Sequence, residues 1–137
     1  MIRDDRTDIT DLLIRYATGI DRRDWSLFRT VFTSDCDADY GEIGVWHGVD
    51  AIADFMEKVH AMAGHTLHRL TNHVITVDGD TAQARTYVDA LVMAADNRSG
   101  VNGVGFYDDE LVRTVDGWRI ARRRFTTVRV ATIGGGA

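Results

Sequence analysis

A chain of 137 residues, 45% hydrophobic and 27% charged, suits one globular domain large enough to enclose a cavity and argues against a second. Its formal charge of −5 comes from acids and bases mixed along the chain, with no basic block longer than Arg122-Arg123-Arg124, which argues against nucleic acid as a partner. The lone Cys36 excludes an internal disulfide, the charged start "MIRDDRTDIT" lacks a signal peptide's apolar centre, and no apolar run nears the roughly twenty residues of a membrane span, so a soluble, cytoplasmic protein is expected.

In "DITDLLIRYATGI" the residues Ile9, Leu12, Leu13, Tyr16, Ala17 and Ile20 fall on one stripe of an amphipathic helix. Gly19 lies near its end. Trp25, Phe28, Val31 and Phe32 continue helical spacing as a short second helix that Asp24 can cap. "DADYGEIGVWHG" is glycine-punctuated and suits a small hairpin, and Ile52, Phe55, Met56 and Val59 mark a third helix. From residue 66 the pattern becomes strands at about 66–77, 80–94, 103–115 and 118–130. Asp78-Gly79 and Asp116-Gly117 make the tight bends, and no proline interrupts the ladders. Residues 131–137, ending in "GGGA", are expected to form a loose tail. The whole reads as a single α+β domain.

A twisted sheet covered by helices on one face encloses an apolar pocket where it curves, and polar side chains pointing into that pocket are the functional candidates. In "HTLHRLTNHVI" strand alternation puts His68, Leu70, Asn72 and Val74 on one face, and Leu67, Arg69, Thr71, His73 and Ile75 on the other. His68 and His73 then point apart, so they cannot share a metal ion, and no cysteine or glutamate completes a zinc motif beside His65 and His68. No metal or organic cofactor is expected, and no glycine-rich phosphate loop is present. His68 has the best position for chemistry. Asp21, ending helix one where an acid opposes the helix dipole, is either its partner or a solvated acid paired with Arg22 or Arg23. Asp89 interrupts the apolar strand "YVDALVMAA", so it is either partnered in the pocket or exposed on the sheet. Tyr16 lies on the apolar stripe of helix one, and Arg123 faces away from Arg122 and Arg124.

The ordered set "LLIRYATGIDRRDWSLFRTVFTSD", "GVDAIADFM", "HTLHRLTNHVITVDGDTAQARTYVDA" and "GWRIARRRF" resembles the SnoaL-like or nuclear-transport-factor-2-like superfamily over nearly the whole chain. That resemblance implies a cone-shaped, curved antiparallel sheet with three helices from the N-terminal half on its concave face. It is nearest to members with a histidine/aspartate dyad, such as scytalone dehydratase, hexachlorocyclohexane dehydrochlorinase and bile-acid dehydratase. Their dyad aspartate matches Asp21, and their His-x-x-x-Asn arrangement reads His68-Arg69-Leu70-Thr71-Asn72 here. The resemblance also implies Tyr16 as a pocket residue, Asp89 as a second acid and Arg123 as a closing-strand arginine.

A carboxylate that accepts one ring proton of an imidazole fixes its tautomer and leaves the other nitrogen as a base. Asp21 would orient and His68 would abstract, with Tyr16 or Arg123 stabilising developing negative charge. The leading expectation is a cofactor-independent, dehydratase-like lyase. Its substrate, implied by the resemblance, is a hydrophobic cyclic, polyketide- or steroid-like small molecule, for which Trp25, Trp46, Leu70, Val74, Asn72 and Leu91 are the candidate contacts. An isomerase or polyketide cyclase with the same base, and a non-catalytic binding module, are the alternatives. A homo-oligomer, dimer or trimer, is expected through the outer sheet face.

Overall fold

The computed structural model describes residues 4–134 of the chain. Helix α1 spans Asp5–Asp21, and Asp4 caps it by accepting a hydrogen bond from the Arg6 amide at 3.2 Å. Its stripe is buried as the spacing requires: Ile9, Leu12, Leu13, Tyr16 and Ile20 are each at most 1% exposed. The short α2, Trp25–Arg29, is capped by Asp24, whose side chain accepts from the Leu27 amide at 3.0 Å. A Cβ at Gly19 would stand 3.0 Å from the Phe28 amide nitrogen, so glycine is what lets α2 fold back against α1.

The second helix stops earlier than its spacing suggests. Val31 and Phe32 are buried, but as the entry to strand β1, Phe32–Asp39, where the Ile120 amide donates to the Val31 carbonyl at 2.8 Å. A β-branched run, Thr30-Val31 followed by Thr33, favours that extended path. A 3₁₀ turn, Gly41–Ile43, leads to β2, Val45–His47, which closes the expected hairpin. Helix α3, Val49–Ala61, is followed by β3, Ala63–Asp78; β4, Thr81–Ala94; β5, Gly100–Thr114; and β6, Gly117–Ile133. The expected loose tail is corrected here: Ala131, Thr132 and Ile133 pair with Asn102, Val101 and Gly100, and residues 135–137 lie outside the described residues.

These strands form one α+β sheet in the order β2-β1-β6-β5-β4-β3. Every pairing is antiparallel except that of β1 with β6, which is parallel. Bulges between Thr71 and Val74, at Val104/Gly105 and at Glu110/Leu111 bend the long strands. The helices cover the inner face, with α1 lying along β3, and the core gathers where α1, α2 and α3 meet β1 and β6. Tyr87 and Val128 stand 50% and 67% exposed on the outer face. Among the described residues no helix is long and apolar enough to cross a membrane.

Candidate active site

The end of α1 and the start of β3 bring Asp21 and His68 together. The His68 Nδ1 lies 2.8 Å from Asp21 Oδ1, the His68 amide donates to Asp21 Oδ2 at 2.8 Å, and the Thr66 hydroxyl donates to Oδ1 at 3.0 Å. An ionised carboxylate only accepts, so Nδ1 carries the proton and Nε2 presents its lone pair. Desolvation opposes the charge on Asp21, but the hydrogen bonds from the His68 ring and amide and from Thr66 outweigh it and hold the carboxyl below its ordinary range. That compensation explains how an acid persists at a helix C-terminus whose last turn holds no basic residue.

His68 lines a cavity of about 340 Å³ between the helices and the sheet. Its walls are largely apolar, with Phe55 and Met56 of α3, Val88, Ala90 and Val92 of β4, and Phe125 of β6. Ile43, Val59 and Val130 are 52%, 41% and 59% exposed and form its rim. A hollow of about 420 Å³ on the outer face is different in kind: Arg85 pairs with Asp108 at 2.7 Å and Arg122 with Glu110 at 3.7 Å along its walls, and no imidazole reaches it.

Three phenols form the buried end of the cavity. Tyr16 and Tyr40 share a hydrogen bond of 2.7 Å, and the Tyr107 hydroxyl donates to Tyr16 at 3.4 Å. Proton counting then fixes what remains: two of three phenolic protons lie between the rings, and one, on Tyr16 or Tyr40, is left for a ligand oxygen. Burial raises the pKa of all three, so they are hydrogen-bond donors at neutral pH.

Beneath the phenols, Arg123 is 1% exposed and forms a two-pronged ion pair with Asp109 at 2.8 and 2.9 Å. Its guanidinium lies 4.2 Å from the Tyr16 ring centre and 3.8 Å from that of Tyr107, and Nη1 donates to the Tyr40 hydroxyl at 3.5 Å. Desolvation works against the charge, yet Asp109 outweighs it and keeps Arg123 ionised. The bulge at Glu110/Leu111 turns Arg123 inward while Arg122 and Arg124 stay exposed. Arg123 is not part of the cavity wall, which corrects the expectation that it meets a ligand directly: its contacts are with Asp109 and the three tyrosines.

Several expected contacts lie elsewhere. Asp89 is on the outer face, paired with Arg69 at 3.2 Å and Asn102 at 2.7 Å, because strand alternation turns Val88 and Ala90 inward. Leu91 faces outward for the same reason. Asn72 occupies the β3 bulge with φ 54, exposed, and the extra residue reverses the parity beyond it. Val74 is therefore 65% exposed while Ile75 is buried and His73 reaches Thr86 at 3.1 Å. Leu70 packs on the core without lining the cavity. Trp25 and Trp46 stand behind its walls: Trp25 packs on Phe28 and His60, and Trp46 on Tyr40 and Phe55.

Most of the lining was not foreseen from the sequence, and its chemically most telling members are Tyr40, Tyr107 and His60. Tyr40 was legible in the alternation Cys36-Asp37-Ala38-Asp39-Tyr40, whose odd acids are exposed or half-buried while the other positions are buried. Tyr107 shares the inward parity of Asp109 and Leu111 on β5. His60 follows Ile52 and Met56 at successive spacings of four on the buried face of α3. Among the described residues no three His, Cys, Asp or Glu side chains converge as metal ligands would.

The family model described as a SnoaL-like domain matches residues 2–124. Uncharacterized protein Rv2910c of Mycobacterium tuberculosis is 38% identical over 124 residues, which is 87% of this chain and 82% of that protein. A crystal structure from Novosphingobium aromaticivorans, provisionally named a scytalone dehydratase, superposes with a TM-score of 0.86 at 22% identity, covering 96% of this chain and 89% of that one. Hexachlorocyclohexane dehydrochlorinase LinA-type3 of Novosphingobium barchaimii does so with a TM-score of 0.83 at 19% identity, covering 95% and 90%. At these identities the structural likeness is one of fold. The sequence match over most of its length makes this chain a member of the SnoaL-like domain family.

Proposed function

We propose that this protein is a cofactor-independent lyase that eliminates water or a comparable leaving group from a hydrophobic cyclic small molecule, with His68 as its base. The observation that carries this reading is the 2.8 Å contact between His68 Nδ1 and Asp21 Oδ1 on the wall of a largely apolar cavity. Asp21 fixes the tautomer and stabilises the imidazolium formed when Nε2 takes a proton from substrate carbon. The electron pair of the broken C–H bond becomes the new double bond as the leaving group departs. For hydroxide, the proton returns from the imidazolium, directly or relayed through a phenol that it reprotonates, and water leaves.

Where the acidic C–H lies beside a carbonyl, the spare phenolic proton of Tyr16 or Tyr40 meets the oxygen on which charge develops. The apolar walls exclude water and strengthen that hydrogen bond. Two structural neighbours bear the names of elimination enzymes, which agrees with this chemistry.

The test is a panel of β-hydroxy cyclic ketones incubated with wild type and His68→Gln, with products followed by mass spectrometry. Loss of water by the wild type, reduced roughly 10²- to 10⁴-fold in the variant, is expected for a general base. A product of unchanged mass would assign proton transfer without elimination, and equal turnover by the variant would remove His68 from the chemistry.

A further inference from the structure

The cavity holds a second imidazole that the elimination does not use. His60 is 8% exposed, lines the same wall, and its ring centre lies 6.1 Å from that of His68. Its Nδ1 is 2.7 Å from the Met56 carbonyl, which can only accept, so the proton sits on Nδ1 and Nε2 is a bare acceptor. Among the described residues that nitrogen makes no hydrogen bond, and the lining residues beside it in sequence, Phe55, Met56 and Val59, carry no side-chain donor. Trp25 packs against the ring, centres 5.9 Å apart, and with the Met56 bond holds its orientation. Nε2 is thus an acceptor on a largely apolar cavity wall, and a ligand that brings a donor hydroxyl meets it there.

We propose that His60 selects hydroxylated substrates, its Nε2 accepting a hydrogen bond from an alcohol or phenol hydroxyl that the substrate retains. This rests on the lyase reading for the reaction but not for the binding. The hydroxyl held here is not the one expelled, because departing hydroxide must receive a proton and Nε2 has none to give. Burial, against the pull of the Met56 carbonyl, keeps His60 neutral. With the two rings 6.1 Å apart, that hydroxyl and the C–H facing His68 lie a few bonds from one another on the same small molecule. The favoured substrate is thus a hydroxylated ring compound with its acidic C–H close to the hydroxyl, rather than a bare hydrocarbon or halocarbon.

Calorimetric titration with 2-naphthol and with 2-methylnaphthalene, which differ in a hydroxyl against a methyl, tests this on wild type, His60→Phe and Tyr40→Phe. Wild type is expected to prefer 2-naphthol roughly tenfold, His60→Phe to lose most of that preference, and Tyr40→Phe, which removes a donor to the ligand oxygen but not the acceptor of its proton, to keep the larger share. A preference that survives undiminished in His60→Phe, or that only Tyr40→Phe removes, overturns the assignment. Should His60→Phe fail to fold, nitrogen-15 spectra of the wild-type histidines decide. The Nε2 signal of His60 should move with 2-naphthol and stay with 2-methylnaphthalene, and an unmoved signal refutes the contact. Naphthol held by His60 in a protein that transforms no β-hydroxy ketone would refute the lyase reading alone; turnover lost in His68→Gln with no hydroxyl preference would refute this one alone.

Discussion

Two histidine/aspartate pairs in this molecule share one geometry. Nδ1 of His68 lies 2.8 Å from Asp21, and Nδ1 of His47 lies 2.8 Å from Asp37. Their surroundings differ: the side chains of the first pair are 9% and 20% exposed, those of the second 75% and 54%. Only the first has an amide and a hydroxyl bonded to the same carboxylate and an apolar cavity in front of the ring. A dyad is therefore not a site by virtue of its distance. Enclosure decides, because it excludes the water that would compete for the carboxylate and weaken the field at the ring.

The comparison is broken most strongly by His68→Gln and His47→Gln, assayed side by side for turnover. The first should lose roughly 10²- to 10⁴-fold and the second nothing, whereas equal losses would place the chemistry outside the cavity. The same contrast between buried and exposed pairs applies to stability. Asp109→Asn leaves Arg123 buried without its carboxylate and should cost about 3–5 kcal/mol in urea unfolding, while Asp108→Asn, on the exposed partner of Arg85, should change the midpoint little.

Cavity size is tuned at Gly103, where an added Cβ meets nothing within 4 Å. Gly103→Leu should keep the fold and weaken binding of two-ring ligands roughly tenfold or more, read by calorimetry, since it fills the space they need. Unchanged affinity would mean that ligands bind elsewhere.

The smallest effect is on pH dependence, and its sign differs between the pairs. Burial holds His60 below its ordinary 6.5, so its contribution to stability is complete above about 6.5 and declines as pH falls beneath that value. Asp21, held below 3.8, contributes above 3.8 and loses its contribution as pH falls further, through its folded value. His47 is raised above 6.5 by its hydrogen bond to Asp37, so its contribution is present below 6.5 and fades as pH rises through the folded value. Because His47 is on the surface, added salt should erase its share and leave that of His60. Melting curves from pH 8 to pH 3 at two salt concentrations check both signs.

Much of this was legible in the sequence, for reasons that can be named. The stripe of α1, the two Asp-Gly bends and the pairing of Asp21 with His68 follow from periodicity, turn chemistry and family likeness. The faces of the strands were legible only up to the first bulge. At Asn72 one extra residue exchanges inside for outside, so Ile75 packs where Val74 was expected. Asp89 was placed in the pocket by likeness, although the alternation of Thr86, Val88 and Ala90 puts it outside. The inward facing of Tyr40 and Tyr107 is legible in local alternation, but their meeting with Tyr16 above the Arg123–Asp109 pair depends on contacts among α1, β1, β5 and β6, which no local pattern reports.

Base strength at the buried dyad is best measured as hydrogen exchange at carbon, which needs no leaving group. In deuterium oxide, 1-tetralone mixed with wild type or His47→Gln should gain deuterium beside its carbonyl well above the buffer rate, and His68→Gln should match buffer. Exchange that persists in His68→Gln, or is absent from the wild type while the ketone is bound, would contradict proton abstraction by His68.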